Sequence, residues 1–165
     1  EELGALAIAA LAPSYFKPRT LDLLVAGCAD LAAAAPATPF YYYDIPALTG
    51  LSLPMVEFFE LAEARIPTLA GMKFSHADLT TYLQCLRAGD WDLPWGVDEW
   101  MLGALATGAR GFVGSSYNFA APLAHDSSPR SPGVISTRPA RPNTAASGSS
   151  FCWPATVTSA RRRWR

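Results

Sequence analysis

Short apolar runs alternate with stretches of helical periodicity through the first 120 residues. Residues 5–12 (ALAIAALA) show no polar face and stop at Pro13, which suits a strand buried on both sides. Thr20 is placed to cap a helix whose Leu21, Leu24, Val25, Cys28 and Leu31 share one face, and Pro36 and Pro39 end it. The aromatic run at 40–43 reads as a strand closed by Asp44, Ile45 and Pro46. Ser52 is expected to cap the next helix, with Pro54 in its first turn and Met55, Phe58, Phe59 and Ala62 facing inward. Ile66 and Pro67 return the chain to a strand that carries Lys73. Ser75-His76-Ala77-Asp78 reads as a capping box ahead of Leu79, Tyr82, Leu83 and Leu86 at helical spacing. His76 is expected at the helix surface. Residues 91–95 form a weak strand, further weakened by Pro94, and 97–107 a helix with Met101, Leu102 and Leu105 inward. Gly108 closes that helix, and 109–115 is the fifth strand.

Strand–helix alternation of this kind predicts an α/β fold, with parallel strands joined by right-handed crossovers. The residues able to do chemistry fall at successive strand exits: Tyr43, Lys73, the turn at 96–99 and Ser115. In a (β/α) barrel such exits share one rim, where active sites are built. Lys73 is the one lysine between Gly27 and Asn118, where the other cations are Arg65, Arg87 and Arg110. Beside Met72 and Phe74 at a strand end it can lose hydration, which frees an amine for imine chemistry. The plainer alternative is a stem on apolar surface with its ammonium in water. Four chemistry-bearing exits in succession weigh against that alternative. Tyr41 and Tyr42 read as packing residues.

Composition adds a division. The chain's 165 residues have room for one domain, and half of them are apolar, enough for a sizeable core. Residues 1–120 hold six Lys/Arg against thirteen Asp/Glu, whereas 121–165 hold seven Arg against one Asp. The later segment is rich in Pro, Ser and Arg without apolar periodicity, a composition expected to stay disordered. Its basic end, Arg161-Arg162-Arg163-Trp164-Arg165, is read as a solvated tail; binding to nucleic acid or an anionic membrane rests on charge alone. Cys28, Cys85 and Cys152 are odd in number and widely spaced, which disfavours a disulfide framework or a zinc site. The acidic start lacks the basic region of a secretory leader, and no apolar run reaches membrane-spanning length. A reducing, cytoplasmic setting is expected.

Four stretches carry a resemblance. Phe40-Tyr41-Tyr42-Tyr43-Asp44-Ile45-Pro46-Ala47-Leu48-Thr49-Gly50, Gly71-Met72-Lys73-Phe74-Ser75, Gly96-Val97-Asp98-Glu99 and Gly114-Ser115-Ser116-Tyr117-Asn118 stand in order over about residues 3–123. In sequence and spacing they resemble the dihydrodipicolinate synthase-like class I aldolases, in the N-acetylneuraminate lyase branch. That resemblance implies a TIM (β/α)8 barrel, of which residues 1–123 supply about strands 4–8, followed by a disordered tail at 124–165. It implies Lys73 as the Schiff-base lysine and Tyr43 as the proton shuttle. It further implies Ser75, Gly96, Asp98, Glu99 and Ser115 as positions that hold the sugar chain. Alternatives stay open at three of these: Ser75 as a helix cap, Asp98 and Glu99 as helix N-terminal charge.

The implied reaction splits N-acetylneuraminate into N-acetylmannosamine and pyruvate. It uses no cofactor beyond the covalent imine on Lys73, and no metal. The implied partners are the small-molecule substrate and further subunits in a homotetramer. The chain departs from the family in beginning at what resembles the fourth strand, without the Gly-Thr/Ser-rich loop that grips the substrate carboxylate. The resemblance also stops near Leu123, before the family's last helices. The competing expectation is therefore a catalytically inactive barrel fragment that associates with full-length subunits.

Overall fold

A computed structural model describes residues 4–127. Three strands, β1 (Ile8–Leu11), β2 (Phe40–Asp44) and β3 (Leu69–Phe74), form a parallel sheet in that order. The chain then lays two further extended segments alongside. Met72 and Phe74 donate backbone hydrogen bonds to Asp92 and Pro94, and Trp95 bridges in turn to Phe112. All five expected strands therefore lie side by side in chain order, but the last two are reduced to isolated bridges. Pro94 is one reason. Asp92 N–H donates to Ala70 and Gly96 N–H to Phe74, while the residue between them has no N–H to give.

Helices cover one face of the sheet. Thr20 caps α1 (Leu21–Ala33) as expected, its hydroxyl accepting from Leu23 N–H at 3.3 Å. Leu24, Val25, Cys28 and Ala32 are buried, but Leu31 is 52% exposed, because its turn of the helix carries it to the margin of the apolar stripe. A short helix absent from the sequence reading, α2 (Pro46–Thr49), follows β2 and ends at Gly50 with φ +62°. The long helix α3 (Met55–Arg65) buries Met55, Phe58, Phe59 and Ala62 as the periodicity predicted. Its boundary residue is Pro54, without a side-chain cap, so Ser52 does not play that part.

Helix α4 (Leu79–Ala88) also corrects an expectation. Its cap is Asp78, whose carboxylate accepts from Thr80 and Thr81 N–H at 2.9 and 3.0 Å. Ser75 cannot start the helix, since its N–H is held by the Asp44 carbonyl at 2.8 Å, which prolongs the β2–β3 pairing. His76 accordingly precedes the helix and stacks on Phe74 with centroids 6.1 Å apart. The stretch after 97 opens as a 3₁₀ turn (Asp98–Trp100) and continues as α5 (Met101–Thr107), closed by Gly108 at φ +105°. Met101 and Ala104 face inward there, while Leu102 is 63% exposed. Helix α6 (Tyr117–Ser127), which the sequence reading did not name, is kinked at Ala120 and contains Pro122. Its backbone reaches into the first residues of the stretch expected to be disordered. The rest of that stretch, including Arg161–Arg165, lies outside the described residues.

The core sits between sheet and helices. Alternation along the strands sends Phe40, Tyr42, Met72 and Phe74 into it, where they meet Val25, Phe58, Tyr82 and Trp95. Tyr42 packs on Phe58 at 4.9 Å, Tyr82 sits edge-on to Trp95 at 4.9 Å, and the Tyr82 hydroxyl donates to the Leu93 carbonyl at 2.7 Å. Cys28 and Cys85 are buried free thiols, each pushed up to about 12 by burial. β1 was expected to be buried on both faces. Instead Ala9 and Leu11 are exposed and Ile8 and Ala10 half-buried, since among the described residues β1 is a sheet edge covered on one face.

Asp44, at the end of β2, is only 3% exposed, and burial raises its carboxyl to about 7. The native chain then holds a proton that the unfolded chain releases near pH 4. Stability contributed here is present at low pH and falls as pH rises towards 7, then levels off. Asp44→Asn is predicted to melt above the wild type at pH 8, by on the order of 2–8 °C per kcal/mol recovered, and the gap should close towards pH 4. Denaturation of both proteins at pH 4.5 and pH 8 checks this; a variant no more stable than wild type at pH 8 contradicts it.

Candidate active site

The parallel register of β2 with β3 sets Tyr43 opposite Lys73. Both belong to the set of alternate residues that leaves the helix-covered core, and both are half-buried. The Lys73 Nζ lies 4.0 Å from the centroid of the Tyr43 ring. A cation over a ring face is held by the ring quadrupole, most strongly where water is excluded.

The next layer is built by close approach. Gly96 N–H donates to the Phe74 carbonyl at 2.8 Å, which draws the turn after the fourth extended segment onto the end of β3. A Cβ at position 96 would run into Ser75 Oγ and press on Lys73 Cε at 3.0 Å, so any larger residue would displace these two side chains. Ser75 Oγ is buried there without a hydrogen-bond partner among the described residues. Lys73, Tyr43, Ser75 and Gly96, all singled out from sequence, are thus direct neighbours.

Asp98 organises a second cluster. Its Oδ2 accepts from Ser116 N–H at 2.8 Å and Ser116 Oγ at 2.6 Å, while Oδ1 is buried with no partner among the described residues. Gly114 allows this, since a Cβ there would collide with the Asp98 carboxylate. One oxygen of Asp98 therefore fastens the chain after the fifth segment, and the other is buried against Gly114. Glu99 and Ser115 are exposed beside this cluster, and the Ser115 carbonyl accepts from Asn118 Nδ2 at 3.0 Å. Tyr117 has its hydroxyl buried and unpartnered among the described residues; burial raises its phenol to about 12, helped by the charges of Asp98 and Glu99.

Sequence reasoning missed Ser116, Tyr117 and one buried pair. Ser115-Ser116-Tyr117 stood within a quoted motif, and strand alternation could have put the two serines on different faces. The pair is Tyr41 with Asp92: the phenol donates to Asp92 Oδ2 at 2.8 Å across β3. Burial raises the Asp92 carboxyl, and the hydrogen bond from Tyr41 partly offsets that. Among the described residues no three His, Cys, Asp or Glu are grouped to hold a metal ion.

Comparison with known proteins bears on this arrangement. The chain is 47% identical to N-acetylneuraminate lyase B of Xenopus laevis over 117 residues, which cover 70% of this chain and 44% of that protein. It is 47% identical to N-acetylneuraminate lyase of Homo sapiens over 121 residues, 72% of this chain and 38% of that one. The solved N-acetylneuraminate lyase (sialic acid aldolase) of Aliivibrio salmonicida superposes with a TM-score of 0.72 at 49% identity, over 74% of this chain and 41% of that one. The chain thus spans about two-fifths of the length of these relatives. The sequence model of the dihydrodipicolinate synthetase family matches residues 1–127, a stretch that contains every strand exit described above. A parallel sheet with a lysine and a tyrosine paired at its strand ends, and sequence likeness along that whole stretch, place the chain in the dihydrodipicolinate synthetase family.

Proposed function

We propose that this chain carries the imine-forming half of a class I aldolase site for N-acetylneuraminate, and that its β/α units are about strands 4–8 of a (β/α)8 barrel. The single observation that carries the reading is Lys73 Nζ set over the Tyr43 ring at the ends of paired strands. The relatives named above, which are lyases of that sugar acid, support the choice of substrate.

Lys73 and Tyr43 carry the imine formation and the bond cleavage in this reading. Attack requires Lys73 to swing off the Tyr43 ring face and present its amine to the substrate. The neutral amine then adds to the C2 keto carbon of the open-chain substrate and expels water, leaving a protonated imine. The imine accepts the electron pair of the C3–C4 bond as that bond breaks, so no cofactor is called for. The Tyr43 oxygen takes the C4 hydroxyl proton and hands its own onward, leaving an aldehyde at C4, N-acetylmannosamine. Protonation at C3 and hydrolysis release pyruvate and restore Lys73. Ser75, the Gly96 backbone, Asp98, Glu99 and Ser115 hold the sugar chain by hydrogen bonds to its hydroxyls, for which a carboxylate is an acceptor.

Homotetrameric assembly and a cytoplasmic setting belong to the same reading. Among the described residues no helix is long and apolar enough to cross a membrane, and Cys28 and Cys85 are free thiols.

Tyr43→Phe is predicted to slow C3–C4 cleavage by about 10²–10⁴-fold, the range for a lost general acid–base group. Imine formation should suffer less. Single-turnover pyruvate release, compared with imine formation in the same samples, checks this, and near-normal cleavage would remove Tyr43 from the mechanism. Steady turnover by the 165-residue polypeptide alone should fall far below that of an intact lyase. It spans about two-fifths of the length of these relatives, and a ketone held by only part of a site is poorly positioned for attack. Pyruvate release at a rate close to that of an intact lyase contradicts this.

A further inference from the structure

Besides Ser75 Oγ, two polar atoms near the proposed sugar-binding positions are left without partners among the described residues: Asp98 Oδ1 and the Tyr117 hydroxyl. The backbone brings their residues together. Asp98 Oδ2 accepts from the N–H and the hydroxyl of Ser116, the residue directly before Tyr117. The Tyr117 ring is braced edge-on by Phe112, with centroids 6.4 Å apart. Burial raises its phenol to about 12, and the charges of Asp98 and Glu99 add to the rise.

A buried hydroxyl and a buried carboxylate oxygen left unpaired each cost stability. One is a donor and the other an acceptor only, and a polyhydroxylated ligand, in which every hydroxyl both donates and accepts, can answer the two at once. Tyr117 as a whole is half-buried.

We propose that Tyr117 is a specificity-determining contact, donating its hydroxyl to the polyol portion of the substrate while Asp98 Oδ1 accepts from a neighbouring hydroxyl of the same chain. This rests on the aldolase reading and adds a residue to it. Pyruvate has no polyol, so the contact should discriminate between two ligands that form the imine on the same lysine.

The test uses the full 165-residue chain and its Tyr117→Phe variant, which keeps the ring. Each is titrated with N-acetylneuraminate and, separately, with pyruvate, and the imine is trapped with borohydride and read by intact mass. The variant should need about threefold to tenfold more N-acetylneuraminate for half-maximal trapping, the loss expected for one ligand hydrogen bond, with pyruvate unchanged. A loss of equal size with both ligands means that Tyr117 only supports the fold, and unchanged trapping with both means that it does not touch the ligand; either result overturns the proposal. Absence of trapping by both ligands in the wild type overturns the aldolase reading itself and the Tyr117 contact with it.

Discussion

The rim depends on the parallel pairing of β2 with β3, which sets Tyr43 opposite Lys73. Side chains alternate along a strand, so a slip of one residue would send Lys73 into the helix-covered core and bring Met72 or Phe74 to the site. The aromatic core fixes that register. Tyr42 against Phe58 and Phe74 against Tyr82 and Trp95 bury large rings on one face, at a cost no slipped arrangement could recover. Packing on the back of the sheet thus positions the chemistry on its front.

Above this pair, the site is shaped by what is left out of the side chains. Gly96 lets a turn close on Ser75 and Lys73, and Gly114 makes room for the Asp98 carboxylate to reach Ser116. The Ser116 backbone is fastened by hydrogen bonding, whereas Ser75 Oγ, Asp98 Oδ1 and the Tyr117 hydroxyl have no partner among the described residues. Asp98 shows both conditions in one residue. Its bonds to Ser116 give it a structural part in fastening the chain, and contact with the sugar chain is the part proposed for it.

Much of this was legible in the sequence because it depends on local patterns. Strand–helix alternation foretold the parallel order, and i, i+3, i+4 spacing found the buried faces of α1 and α3. Errors arose where a distant contact decided between two local possibilities. Ser75 and Asp78 can both cap a helix, and the Asp44 carbonyl settles it by holding Ser75 in the sheet. Pro94 was recognised as weakening its strand, but the loss of regular pairing depends on which N–H groups face β3. Tyr41 looked like packing because its partner, Asp92, lies 51 residues away. Ser116 went unremarked beside Ser115 for a similar reason: its partner is Asp98, at the exit of the preceding extended segment.

The central claim is that the amine over the Tyr43 ring is the one that becomes covalently bound. The chain has two lysines, Lys17 and Lys73, and of these Lys17 is exposed. Treating the protein with pyruvate and borohydride, digesting it and locating the adduct by mass spectrometry separates them directly. The account predicts a reduced pyruvate adduct on Lys73, abolished by Lys73→Arg. An adduct on Lys17 that survives that substitution, with Lys73 unmodified, would contradict it.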